Sequence, residues 1–133
     1  MNIFLDSSAI IELFKNNDRI SDTISEADDV YTSAICAYEV LLGEAYMMEK
    51  GRPSMLEKVQ KFFETTNPLP FTYGNSLKAS IMFSKLSAKG KKVDDFDVLI
   101  AAQALEKEAT IITTDAKHFK VLRDEIGISV KIL

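Results

Sequence analysis

The same short grammar is written at both ends of this chain: an apolar run of strand length stops at an aspartate and passes directly into helical spacing. Near the start, Asn2-Ile3-Phe4-Leu5 halts at Asp6 and Ser7, and Ala9, Ile10, Leu13 and Phe14 follow on one helical face. Near the end, the β-branched run Thr110-Ile111-Ile112-Thr113-Thr114 halts at Asp115. A short helix from Ala116 to Glu125 and a last strand from Ser129 to Leu133 complete that unit. Strand, acid and helix in this order, repeated across mostly helical sequence, predict an α/β fold with a parallel sheet and helices on both faces.

The intervening helices are read from caps and breakers. Ser33 is placed to cap a helix reaching about Glu49, and Pro53 suits the first turn of another that reaches Glu64. Gly74-Asn75 precedes a third that ends near Gly90, and Asp94 caps a fourth from about Asp95 to Glu108. Weak strands are expected at Asp28 to Thr32 and at Pro68 to Phe71. No repeat, linker or low-complexity stretch divides the 133 residues, so one domain is expected over 1–133.

Composition excludes several classes of function. Cys36 is the only cysteine and His118 the only histidine, so disulfide scaffolds, zinc fingers and His/Cys zinc enzymes are ruled out. The segment MNIFLD has neither the basic start nor the apolar run of a signal peptide, which makes a cytoplasmic chain the expectation. Phosphate-binding loops, dinucleotide glycine fingerprints and nucleophile elbows are absent. His118, with no Ser or Cys partner at motif spacing, reads as a structural residue beside Phe119. The net charge of -4 is unevenly spread: residues 1–77 carry 6 basic and 12 acidic groups, residues 78–133 carry 10 and 8. Lys85, Lys89, Lys91 and Lys92 form the densest basic cluster, either a solvated helix end or a track for phosphates.

The acids stand where acids are expensive. From Ala34 to Met48 the sequence is apolar nearly all round, which predicts a largely buried helix carrying Glu39 and Glu44 as its only charges. Lys50, the nearest cation to Glu39, is eleven residues away, so the carboxylate needs a distant cation, backbone donors or a metal ion. Asp97 is the third acid in four residues after Asp94 and Asp95, more negative charge than a helix N-terminus rewards. Asp6 and Asp115 end strands, and the carboxyl edge of a parallel sheet is where ligands bind. Each is equally a helix cap. Together, four carboxylates converging on one edge call for a hard divalent cation with oxygen ligands, Mg²⁺ or Mn²⁺.

Four blocks carry a resemblance. Phe4-Leu5-Asp6-Ser7-Ser8, Thr32-Ser33 through Tyr38-Glu39-Val40-Leu41-Leu42-Gly43, Asp97-Val98-Leu99-Ile100-Ala101-Ala102 with Ala104, and Ile112-Thr113-Thr114-Asp115 with His118-Phe119 resemble, in order and spacing, the PIN-domain ribonucleases, especially the VapC-like toxins. The resemblance implies a three-layer α/β/α sandwich and Mg²⁺- or Mn²⁺-dependent endonucleolytic cleavage of RNA by water, leaving a 5′-phosphate and a 3′-hydroxyl. It assigns the cation to Asp6, Glu39 and Asp97 directly and to Asp115 directly or through water. Ser8 and Thr113 become supports of the first and last acids, Gly43 the small residue one turn after Glu39, and Asp94 or Asp95 a further group at the site. Lys85, Lys89, Lys91 and Lys92 become contacts for flanking phosphates. A cognate antitoxin and a homodimer are the implied partners. Tyr46, Met47, Met48, Phe62, Phe63 and Phe83 are candidates for such interfaces, although helical spacing assigns them to the core first.

Three other readings remain at this stage: a housekeeping RNA-processing nuclease, a non-catalytic RNA- or protein-binding module of the same fold, and a phosphorylation receiver. The receiver needs paired acids after the first strand, where Asp6 stands alone.

Overall fold

A computed structural model describes residues 1–133. The elements run β1 (Ile3–Leu5), α1 (Ser7–Phe14), α2 (Asp18–Glu26), β2 (Val30–Tyr31), α3 (Ala34–Glu49), α4 (Leu56–Thr66), α5 (Tyr73–Ala88), α6 (Asp95–Glu106), β3 (Thr110–Thr113), α7 (Ala116–Ile126) and β4 (Val130–Ile132). The four strands form one parallel sheet in the order β2-β1-β3-β4. The chain steps from β1 to one side and then back across it to β3 and β4. Right-handed crossovers in opposite directions put helices on opposite faces, which is the three-layer α/β sandwich.

The central strands are the most apolar. Ile3, Phe4, Ile111 and Ile112 are fully buried, as strands covered on both faces require. Ala9, Ile10, Ile100, Ala101, Ala102, Ala104, Phe119 and Leu122 complete the core around them. The small residues of α6 let that helix lie close against its neighbours. The register pairs Leu5 with Ile112, so the residues just beyond, Asp6 and Thr113, emerge side by side at the carboxyl edge.

Several boundaries differ from expectation. Helix α2 was not anticipated: DRISDTISE is rich in Ser, Thr and Asp, and its apolar face is little more than Ile20 and Ile24. Its legible signal is Asn17, whose side chain caps Arg19 N. Pro53 lies before α4 rather than in its first turn, because Glu44 of α3 accepts hydrogen bonds from Met55 N and Ser54 Oγ and fixes the start later. Gly74 and Asn75 lie within the first turn of α5, where Thr72 and Asn75 form a reciprocal capping box. The expected strand at Pro68 to Phe71 reduces to a single bridge between Ser33 and Leu69.

The expectation of a largely buried α3 is also corrected. Only Cys36, Ala37 and Val40 are buried there, while Tyr38, Tyr46, Met47 and Met48 are exposed. Of the six aromatic and Met residues assigned first to the core, Phe63 is buried and Phe62 half-buried, whereas Tyr46, Met47, Met48 and Phe83 are exposed. Helix α3 packs on α1, α4 and α6, but its buried residues end at Val40 and those from Ala45 to Glu49 are all exposed, and an all-round apolar sequence does not say how far along a helix its neighbours reach. No helix is long and apolar enough to cross a membrane.

Candidate metal centre

The switch in strand order between β1 and β3 opens the crevice where α/β sheets bind ligands. Asp6 leaves the end of β1 there. Its Oδ1 accepts hydrogen bonds from Ala9 N at 2.8 Å and Ser8 Oγ at 2.7 Å, and its Oδ2 accepts one from Thr113 Oγ1 at 2.5 Å. Ser8 and Thr113 hydroxyls lie 3.1 Å apart, but each spends its single proton on Asp6, so they also serve as acceptors, for Thr114 N and Asp115 N respectively. One carboxylate thereby ties β1, α1 and the end of β3 together. Only 3% of Asp6 is exposed, and burial pushes its pKa upward against these hydrogen bonds.

Asp115 ends β3 and caps α7 through Oδ1, which accepts from Lys117 N. The cap of Asp115 occupies one oxygen and leaves the other, whereas Asp6 caps through Oδ1 and gives Oδ2 to Thr113. Glu39, half-buried on α3, has no cation beside it. Its Oε1 accepts from Ser7 Oγ at 3.0 Å, and burial, with Asp94 and Asp6 nearby, holds its pKa above the usual range. Asp97, in the first turn of α6, is pushed up to about 6, chiefly by burial, with Asp94 and Asp115 adding repulsion and His118 opposing it.

These groups line one pocket of about 240 Å³, made of Asp6, Ser7, Ser8, Glu39, Asp94, Asp97, Asp115 and His118, with no apolar residue and no Lys or Arg. Of the two spare acids, Asp94 lies in it. Asp95 does not: it faces a separate cavity with Phe83, Phe96 and Leu99. Two members were missed from sequence. Ser7 was read only as part of a strand stop, and its role as a donor to Glu39 depends on α3 packing beside α1. His118 was assigned a structural place, yet its Nδ1 lies 2.9 Å from Asp97 Oδ2. Its position one turn into α7 after Asp115 was the available signal. Donor atoms of Asp97, Asp115 and His118 all lie within 4.8 Å of one another.

The donor set fits a hard divalent cation. Five carboxylates face each other without a cationic side chain, and oxygen ligands of that charge suit Mg²⁺ or Mn²⁺. The basic cluster is partly spent elsewhere: Lys89 Nζ lies 3.1 Å and Lys91 Nζ 3.9 Å from the carboxylate of Glu125. Lys85 and Lys92 have no such partner and are exposed. Cys36 is buried and its thiol is pushed up to about 12, which leaves it inert.

Comparison with known proteins gives the family and the fold. Ribonuclease VapC19 of Mycobacterium tuberculosis is 24% identical over 105 residues, 79% of this chain and 78% of that protein. A DNA-bound VapBC from Salmonella typhimurium shares the fold at a TM-score of 0.80 and 20% identity, over 99% of this chain and 98% of the matched one. VapBC-5 of Mycobacterium tuberculosis, a member of the VapBC family of toxin-antitoxin systems, matches at a TM-score of 0.69 and 20% identity, covering 99% and 97%. The PIN domain family model matches residues 3–124, nearly the whole chain with all four strand-edge and helix acids inside it, and the chain belongs to the PIN domain family.

Proposed function

We propose that this chain is a divalent-metal-dependent endoribonuclease, one domain long, acting as the toxin of a toxin-antitoxin pair. The observation that carries the reading is the pocket of five carboxylates without a Lys or Arg, at the carboxyl edge of a parallel sheet. Family membership and the similarity to a ribonuclease support the reaction class.

Asp6, Glu39, Asp97 and Asp115 are the residues proposed to hold Mg²⁺ or Mn²⁺. The chemistry such a cation would supply is polarisation of a phosphodiester and activation of a water near neutral pH. The chain's own groups prepare that place. Ser8, Thr113 and Ala9 N fix Asp6 and leave one further acceptor direction on Oδ2, while Ser7 fixes Glu39 and leaves Oε2 free. Asp115, the most exposed of the four, faces the side from which substrate and water arrive. Lys85, Lys89, Lys91 and Lys92, just before Asp94 along the chain, are proposed to hold flanking phosphates, with Lys89 and Lys91 shared with Glu125.

An antitoxin is the proposed partner, its segment filling the groove that leads to the acids. Exposed Tyr38 beside Glu39, and Tyr46, Met47 and Met48 around the exposed end of α3, offer it apolar contacts. A homodimer belongs to the same reading, with exposed Phe83 among the available apolar groups.

The decisive experiment is cleavage of RNA by the purified protein with Mg²⁺, Mn²⁺ or excess EDTA. Asp97→Asn should remove nearly all activity, because an amide keeps the shape but not the charge a cation needs. Asp95→Asn should lose far less, since Asp95 faces a different cavity. Full activity in EDTA, or an Asp97→Asn protein as fast as the parent, overturns the mechanism. Growth arrest on expression, relieved by a small neighbouring reading frame, tests the toxin assignment separately.

A further inference from the structure

The side chain that the reaction reading leaves unused is the one histidine of the chain. Helix α7 is anchored by fully buried Phe119 and Leu122, and its first turn carries Asp115 and His118 into the pocket together. The imidazole meets Asp97 of α6 with Nδ1 at 2.9 Å from Oδ2, both side chains largely covered, at 23% and 17% exposure. Asp97 has no Lys or Arg partner. An ionised carboxylate only accepts hydrogen bonds, so the proton of this pair sits on Nδ1.

We propose that His118 is a positioning residue: its Nδ1–H holds Oδ2 of Asp97 and thereby turns the other carboxylate oxygen toward the cation. This rests on the metal-site reading above. The physical case is that a carboxylate on the first turn of a helix can rotate about two bonds, and that Asp94 and Asp115 repel it. A donor fixed on a second helix removes that freedom before the cation arrives. Donors placed behind a ligand in this way commonly set metal affinity by about 10–100-fold. The pair also couples the starts of α6 and α7, so Asp97 and Asp115 are positioned by one contact.

The imidazole reports on this directly, because His118 is the only histidine and its nitrogen signals need no assignment. In the metal-free protein at about pH 8, a long-range proton–nitrogen spectrum should show the neutral Nδ1–H tautomer, the form a free histidine disfavours. Asp97→Ala should return the ring to Nε2–H. Mn²⁺ affinity, followed by paramagnetic resonance of the free ion, should fall about 10–100-fold in His118→Leu. His118→Asn, whose amide N–H stands near the place of Nδ1–H, should recover most of it, and this variant with the spectrum serves if His118→Leu does not fold. A parent in the Nε2–H form, or a His118→Leu protein that binds Mn²⁺ like the parent, overturns the proposal. So does loss of the Nδ1–H signal on adding Mg²⁺, which would make His118 a ligand itself. A parent that binds no Mn²⁺ overturns the metal reading, whatever the imidazole spectrum shows.

Discussion

Asp97 holds its charge against burial, against Asp94 and against Asp115, with only an imidazole to help, so its ionisation opposes folding of the metal-free chain. Its folded-state pKa, raised to about 6, lies above the ordinary carboxylate range. The folded protein therefore keeps its proton over a pH range in which the unfolded chain has released it, and stability falls as pH rises through that window. Below about pH 4 both states are protonated and Asp97→Asn should match the parent. Between about pH 4 and 6 the parent should lose ground, so that by pH 7 in EDTA the variant is more stable by roughly 1–2 kcal/mol. Chemical unfolding of both proteins across this range measures it, and a parent more stable than the variant at pH 7 in EDTA would refute the repulsive pocket. Asp6 and Glu39 are shifted in the same direction, chiefly by burial.

Helix starts, more than helix interiors, position this molecule's chemistry. Asp6, Ser33, Asp94 and Asp115 cap α1, α3, α6 and α7, and three of the four also line the pocket, because a cap stands at the end of a helix that faces the sheet edge. Helix α5 shows the same device without the chemistry: Thr72 Oγ1 accepts from Asn75 N and Asn75 Oδ1 accepts from Thr72 N. Thr72→Ala leaves Asn75 N without its acceptor, while the backbone N–H of residue 72 keeps Asn75 Oδ1, and should cost about 1 kcal/mol of stability with RNA cleavage unchanged per folded molecule. Thermal unfolding together with a nuclease assay separates the two effects. Helix α3 teaches the converse. Its apolar sequence resembles a buried helix, yet Tyr38, Tyr46 and Met48 are more than half exposed, because the extent of its burial is set by how far its neighbours reach along it.

At the scale of the whole molecule, the reversal between β2-β1 and β3-β4 decides where the acids meet. Parallel register brings the ends of β1 and β3 together, and α3, α6 and α7 converge on that edge from three separate parts of the sequence. Folding therefore has to gather charges that repel, and a divalent cation bound among them would offset this. Added Mn²⁺ should raise the unfolding midpoint of the parent, by the equivalent of about 2.7 kcal/mol at a hundredfold excess over Kd, and leave Asp97→Asn nearly unmoved. The order of stabilities seen in EDTA should then reverse. Calorimetry with and without Mn²⁺ decides it: equal shifts in both proteins would mean that the ion binds elsewhere.

Local sequence determined the central strands, most helices and the caps Asp6, Ser33, Asp94 and Asp115, because an apolar run, an acid at its end and a helical recurrence are encoded within a few neighbouring residues. It also singled out Asp6 and Asp115 as strand-end acids, Glu39 as an acid without a nearby cation and Asp97 as one acid too many at a helix start, since charge and position along an element are written in the chain. What stood behind those acids was decided only by the fold. Ser7 reaches Glu39 and His118 reaches Asp97 across 32 and 21 residues of sequence, and Glu125 takes up Lys89 from 36 residues away. Placing Asp94 in the pocket and Asp95 outside it likewise follows from the rotation of α6 against α5 and α7. Hydrogen bonds and ion pairs of this kind depend on distances of about 3 Å between elements, and such distances are fixed by packing of the core rather than by any run of neighbouring residues.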